Sequence, residues 1–357
     1  MVQSQRERTK AFCQRFGLDV PILLAPMAGA CPPSLSIAVA NAGGMGACGA
    51  LLLKPDAILD WNDAFRRESR NALQFNLWIP DPPPNRDKAR EAAVVRFLEN
   101  WGPPVPGDAG DAVLPDFHAQ CEALLMARPS VVSSVMGLYP PEFVAQLKKA
   151  GIAWFATVST VREAVAAESA GADAVIAQGY EAGGHRAAFV AEHAERQAVG
   201  LVSLIPAIVD AIQLPVVATG GVADGRGIAA ALVLGASAVQ IGTAFLRCPE
   251  AKIHPAWADA LARTLPEETL VTRAFSGRAG RSIATNYALA ATGLGAPALA
   301  PYPVQRGLTS KMRDNAQSTG DVHRMQAWAG QSAQLARAEP AAAALSRMWK
   351  EAESSWL

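Results

Sequence analysis

Eight short apolar segments, each closed by glycine or proline and each separated from the next by a stretch of helical character, constrain this chain more than any other feature. They fall at 21–25 (PILLA), 45–50 (MGACGA), 73–77 (LQFNL), 131–135, 152–158, 174–177, 215–218 and 238–241. Helical spacing of apolar residues is visible between them, at 56–68, 141–150 and 225–234 among others. Strands that alternate with helices lie parallel, because a helix is the connection that returns the chain to the same edge. Eight such units predict a closed α/β barrel of the TIM (β/α)8 type, with its active site at the C-terminal ends of the strands. An open, doubly wound nucleotide fold would instead place G-x-G-x-x-G after the first strand, and PMAGACPP does not supply it.

The rhythm breaks twice. Residues 80–128 hold DPPPNRD, a charged helix, WGPPVPGDAGD and a second helix; residues 250–319 hold the proline-rich APALAPYPVQRG. The expected organisation is therefore a barrel built from 1–79, 129–249 and 320–357, with 80–128 and 250–319 as insertions forming a smaller lid or substrate domain. Helices at 324–338 and 341–349 are expected to close the barrel.

Charge excludes one class of partner. Lys plus Arg and Asp plus Glu both total 32, and no basic run interleaved with aromatics occurs, so nucleic acid is not an expected ligand. The polar N-terminus lacks the apolar core of a signal peptide, and no apolar run is long enough to span a bilayer, which predicts a cytoplasmic protein without membrane contact. A monomer or a homodimer is expected. The five cysteines are scattered without a Cys-x-x-Cys, so they read as free thiols rather than as a disulfide framework or zinc ligands. The histidines likewise lack the i, i+4 spacing of a zinc helix, and no metal is expected.

The chemistry is expected in AQGYEAGGHR, residues 177–186. This stretch sets His185 behind a glycine pair at the mouth of the sixth strand, with Gln178 and Glu181 beside it. Histidine titrates near neutrality, which suits a base or a hydrogen-bond partner for an anionic substrate. Gly183 and Gly184 would let the backbone approach a flat ligand closely. Two further loops, Gly220-Gly221 after the seventh strand and Gln240-Ile241-Gly242-Thr243 after the eighth, stand where many barrels bind a phosphate through glycine amides and a helix N-terminus.

Taken together, AQGYEAGGHR, QFNLWIPDP, TGGV, VQIGTAF, FSGRAGRS, the PYPVQ region and WAGQSA, in that family's order and over nearly the whole length, resemble the nitronate monooxygenases, formerly 2-nitropropane dioxygenases. The resemblance implies an FMN-dependent barrel that converts alkyl nitronates, such as propionate 3-nitronate, with O2 into a carbonyl compound and nitrite. It implies that His185 is catalytic and that Met27, Asn76, Gln178, Gly183, Gly220, Gly221, Gln240, Ile241, Gly242 and Thr243 line FMN. For Met27 the residues alone favour a core side chain equally. Tyr302 and Lys311, in the late insertion, are expected to cover the substrate, with ordinary surface residues as the alternative. Because AGGH also occurs in flavin-dependent enoyl and quinone reductases of the same fold, NAD(P)H-dependent reduction of quinones or enoyl thioesters is the competing expectation.

Overall fold

The computed structural model describes residues 4–355. Helix α1 (Gln5–Phe16) starts at a capping box, in which Ser4 and Glu7 satisfy each other's backbone amides, and stops at Gly17 in the left-handed conformation. The barrel follows as β1 (Ile22–Leu24), α2 (Pro33–Asn41), β2 (Gly46–Gly49), α3 (Pro55–Glu68) and β3 (Leu73–Trp78). After α4 (Lys88–Leu98) and α5 (Phe117–Ala127) it continues through β4 (Val131–Val135), α6 (Pro141–Lys149), β5 (Ala153–Val158), α7 (Val161–Ser169) and β6 (Ala174–Gln178). A two-residue strand β7 (Gly184–His185) and helix α8 (Leu201–Val209) precede β8 (Val216–Thr219), α9 (Gly225–Val233) and β9 (Ala238–Ile241).

Strands β1 to β6, β8 and β9 form one parallel sheet, in the order β1-β9-β8-β6-β5-β4-β3-β2. Leu24 N donates to Met45 O at 2.9 Å and Met45 N to Ile22 O at 3.1 Å, so the two end strands also meet and the sheet closes. The eight expected strands are thus present, and the α/β barrel is the architecture.

Period-two alternation sorts the strand residues. On β3, Leu73, Phe75 and Leu77 pack outward against the helices, while Gln74 and Asn76 point into the barrel. The bottom of the interior is apolar: Leu23, Met45, Phe155, Ile176 and Val217 pack there beneath Phe12 and Phe16 of α1, which plug it. Toward the strand C-termini the same interior turns polar, with Gln74 Nε2 donating to Gln240 Oε1 at 3.0 Å and to Leu24 O at 2.9 Å. The functional end of the barrel is therefore built from amides, the structural end from hydrocarbon.

The remaining elements are α10 (Pro255–Leu261), β10 (Thr269–Thr272), β11 (Gly280–Ile283), α11 (Asn286–Ala290), α12 (Val304–Leu308), α13 (Ser310–Thr319) and α14 (Ala341–Ser354). Val94 and Leu98 of α4 share a hydrophobic cluster with Phe275, Tyr287, Val304, Leu308 and Met312, so α4 packs on the stretch that follows β10. The first ends earlier than expected, however. Cys121 and Leu124 of α5 join the outer barrel core with Phe65 and Phe75, which makes α5 the wall helix between β3 and β4 rather than part of an insertion reaching residue 128.

A second departure concerns 324–338, which is not a helix. Residues 326–330 hold no helix, Trp328 forms an isolated bridge to Ser282 of β11, and a single 3-10 turn, Ala333–Leu335, follows. The amides there bond to distant partners: Ala329 N to Arg281 O, Gly330 N to Thr243 Oγ1 and Gln331 N to Glu181 O. These long-range bonds override a helical pattern that Gly330 already weakens. Helix α14 then packs Leu345 and Met348 onto the barrel, as the closing helix.

Candidate active site

AQGYEAGGHR leaves β6 and, instead of a free loop, adds β7 to the edge of a small antiparallel sheet in the order β10-β11-β7, with His185 opposite Gly280 and Gly184 opposite Arg281. Three sets of contacts hold it there. Gln178 Nε2 donates to His185 O at 3.0 Å, and Gln178 Oε1 accepts from Ala187 N at 2.9 Å. The Tyr180 ring lies between two guanidinium groups, Arg186 at 5.1 Å and Arg281 at 4.9 Å, each of which also donates to a loop carbonyl. Glu181 turns away and accepts from Leu201 N, capping α8.

The histidine ring stands between two indoles, with Trp78 at 4.7 Å and Trp328 at 4.8 Å, both edge-on. Its Nε2 is 2.7 Å from Ser276 Oγ. Although one edge of the ring lines a cavity, protein surrounds the rest. That burial, together with the positive charges of Arg278 and Arg306, pushes the imidazole pKa down to about 3 from an ordinary value of 6.5. His185 is a neutral hydrogen-bonding group at any ordinary pH.

The cavity, about 410 Å³, opens at the C-terminal ends of the barrel strands. His185, Met27, Asn76, Gln178, Gly183, Gly220, Gly221, Gln240, Gly242, Thr243 and Tyr302 all line it. Two expected residues do not. Ile241 lies on the outward phase of β9 and is fully buried with Val239 against the helices, since its inward neighbour is Gln240. Lys311 is exposed on α13 and is not on the cavity wall.

One end of the cavity is suited to an oxyanion. Gly220 and Gly221 have φ of 113° and 69°, left-handed backbone that glycine adopts without strain, and they precede the N-terminus of α9. Thr243 Oγ1 accepts from Gly330 N at 3.0 Å, which leaves its own proton free to donate. Gly183 has a different reason to be glycine: a Cβ there would sit 2.5 Å from Gly330 N, so it lets two backbones pass. The segment 326–332 then passes along the wall, where Gln326, Trp328, Gly330 and Ser332 line the cavity. Among the described residues, Arg306 and Arg313 are the charged side chains lining the cavity, and no carboxylate lines it.

The profile of the nitronate monooxygenase family matches residues 10–348. The chain belongs to that family. A probable nitronate monooxygenase of Staphylococcus aureus is 33% identical over 344 residues, 92% of this chain and 93% of the relative. A nitroalkane oxidase from Streptomyces ansochromogenes superposes with a TM-score of 0.88 at 34% identity, covering 97% of this chain and 99% of that one. FabK from Thermotoga maritima gives a TM-score of 0.75 at 26% identity, covering 100% and 98%. As a member of the nitronate monooxygenase family the chain is an oxidoreductase, acting on nitroalkane or nitronate substrates.

Several wall residues of this family member were not singled out from sequence. Trp78 is legible, being the next residue after a recognised strand. Ser276, which bonds His185, and Ser332 lie inside FSGRAGRS and WAGQSA, two of the motifs that carry the resemblance, whereas Arg306, Arg313 and Gln326 reach the site through long-range folding that no local pattern shows.

Proposed function

We propose that the chain oxidises alkyl nitronates with O2 to a carbonyl compound and nitrite, using FMN. The observation that carries this reading is a neutral His185 on the wall of a cavity whose charged lining, among the described residues, is two arginines. Such a site favours an anion, and a nitronate is one already. A base with a pKa of about 3 is poorly matched to removing a proton from carbon, so the pre-formed nitronate, rather than the neutral nitroalkane, is the substrate. His185 Nε2 shares a 2.7 Å hydrogen bond with Ser276 Oγ whose direction follows the tautomer, and in the tautomer in which Ser276 donates, Nδ1–H is left to donate to a nitronate oxygen. The NAD(P)H-dependent alternative has no comparable feature in its favour.

The residues present fit FMN. Gly220, Gly221 and the free Thr243 proton suit a phosphate, and no acidic side chain on the wall opposes one. Met27 and Gly242 would flank the ring system, with the amides of Asn76 and Gln240 at its polar edge. Gln178 and Gly183, engaged with the loop and with Gly330, act by holding the wall. Bound FMN would supply the electron transfer between nitronate and O2. The protein's residues hold the anion, keep His185 neutral and exclude water. The segment around α4 and the stretch 250–319, packed on each other, serve as the lid.

Flavin released by heat and weighed by mass spectrometry is expected to be FMN, and anaerobic addition of a nitronate is expected to bleach it. Release of FAD or of no flavin would refute the cofactor. Rapid bleaching by NADH with none by nitronate would replace this reading with the reductase.

A further inference from the structure

The His185 ring and two of the groups against it, Trp78 and Ser276, come from segments far apart in the chain: the exit of β6, the end of β3 and the turn before β11. One residue touches all three segments. Arg278, 3% exposed, donates from Nη2 to Ala188 O at 2.9 Å, three residues beyond His185. Its Nη1 lies 3.1 Å from Asp81 Oδ1, three residues beyond Trp78, as an ion pair without the alignment of a hydrogen bond. Its backbone holds the serine. Arg278 N donates to Ser276 Oγ at 3.3 Å, and Arg278 O lies 3.2 Å from the same hydroxyl, which stands 2.7 Å from His185 Nε2.

Packing alone does not explain a guanidinium at this place. Burial lowers the pKa of Arg278 and raises that of Asp81, so their attraction does not offset the desolvation of the pair. An apolar side chain of similar volume would avoid that cost. What it could not do is hold two chain segments at once from one rigid, planar fork.

We infer that Arg278 is a positioning residue for the reaction: it clamps the turn that carries Ser276 to the His185 segment and to the exit of β3, and thereby holds the imidazole in the orientation in which Nε2 meets Ser276 Oγ. Arg278 is not on the cavity wall, so it acts through Ser276 and not on the substrate. The inference rests on the proposed function, and its test separates the two.

The holoenzyme is assayed on a pre-formed nitronate as the wild type, Arg278→Met, Ser276→Ala and the double variant. Each single substitution should lower kcat by about 10- to 100-fold, the scale of a small misplacement of a reacting group, with KM and flavin content near wild type. The double variant should lose no more than the worse single one, because both remove the same support. Losses that multiply, or a Ser276→Ala enzyme with wild-type kcat, would overturn the inference. Arg278→Lys keeps the charge without the fork and should recover little; full recovery would make Arg278 a charge beside His185 and not a clamp. Should Arg278→Met fail to fold with Asp81 left unpaired, Asp81→Asn combined with Arg278→Met takes its place. A readout independent of turnover is the 15N resonance of His185 Nε2, identified by its loss in His185→Asn. In Arg278→Met it should move to the position it takes in Ser276→Ala, and an unmoved resonance would also overturn the inference. If the wild type oxidises no nitronate yet the resonance moves as expected, the clamp stands and the proposed reaction falls.

Discussion

A histidine packed edge-on against two indoles and facing two arginines has little room to become a cation, and this fixes what His185 can contribute. Its pKa of about 3 lies below the ordinary 6.5, so it stays neutral through the physiological range. Because kcat/KM reports the free enzyme, its pH profile on a pre-formed nitronate should show no limb from His185 between about pH 5 and 8. A limb near 6.5 that His185→Asn abolishes would mean that the ring titrates normally. The same shift has a stability consequence. Between pH 6.5 and about 3 the unfolded chain binds the proton and the folded one does not, so stability falls as pH drops through that window. Urea midpoints at pH 7 and 4.5 should therefore differ more for the wild type than for His185→Asn. His185 itself was legible in the sequence, because the glycine pair and the strand before it are local. The error at Ile241 had an equally local cause: alternation along β9 turns Gln240 in and Ile241 out, so a run of four residues cannot all face one ligand.

At the level of elements, the barrel strands were legible because each is a local apolar run with its own stop signal. The three-stranded sheet that holds His185 was not. It joins two residues of one loop to a hairpin nearly a hundred positions later, and neither piece shows the pairing by itself. The helix expected at 324–338 failed for the same reason, since its amides are committed to Arg281, Thr243 and Glu181. A substitution at the crossing tests this account. In Gly183→Ala the new Cβ would lie 2.5 Å from Gly330 N and 2.7 Å from Ala329 C, both backbone atoms, so one strand of the crossing must shift. We expect a loss of roughly 1–3 kcal/mol, typical of overpacking, with weaker flavin binding because Gly330 N anchors Thr243. Gly107→Ala, where a Cβ meets nothing within 4 Å, serves as the control. Equal thermal midpoints for the two variants would show that the crossing tolerates side chains.

The molecule as a whole separates stability from chemistry along the barrel axis. The lower interior is hydrocarbon sealed by α1, where Phe16 meets Phe155 edge-on at 4.8 Å and Phe12 packs at 6.1 Å; the upper interior is amide and hydroxyl facing the cavity. If the two ends are independent, a cavity opened at the bottom should weaken the fold without touching the reaction. Phe155 is fully buried and not on the cavity wall, so Phe155→Ala should cost about 3–5 kcal/mol, the transfer free energy of the ring plus the void it leaves. Flavin content and kcat/KM at 25 °C, measured on protein shown to be folded, should match the wild type if the strain stays local, the shared partner being Ser133, which pairs with Phe155 across the sheet and accepts from the Asn76 amide. Flavin itself should restore part of the lost stability, since a ligand that binds only the folded state stabilises it by about 2.7 kcal/mol at a hundred times its Kd. Urea unfolding with and without added flavin, alongside steady-state kinetics, reads both quantities. A parallel fall in kcat/KM would show that strain at the base reaches Asn76 and Gln178 through β3 and β6, and the division of labour along the axis would be wrong.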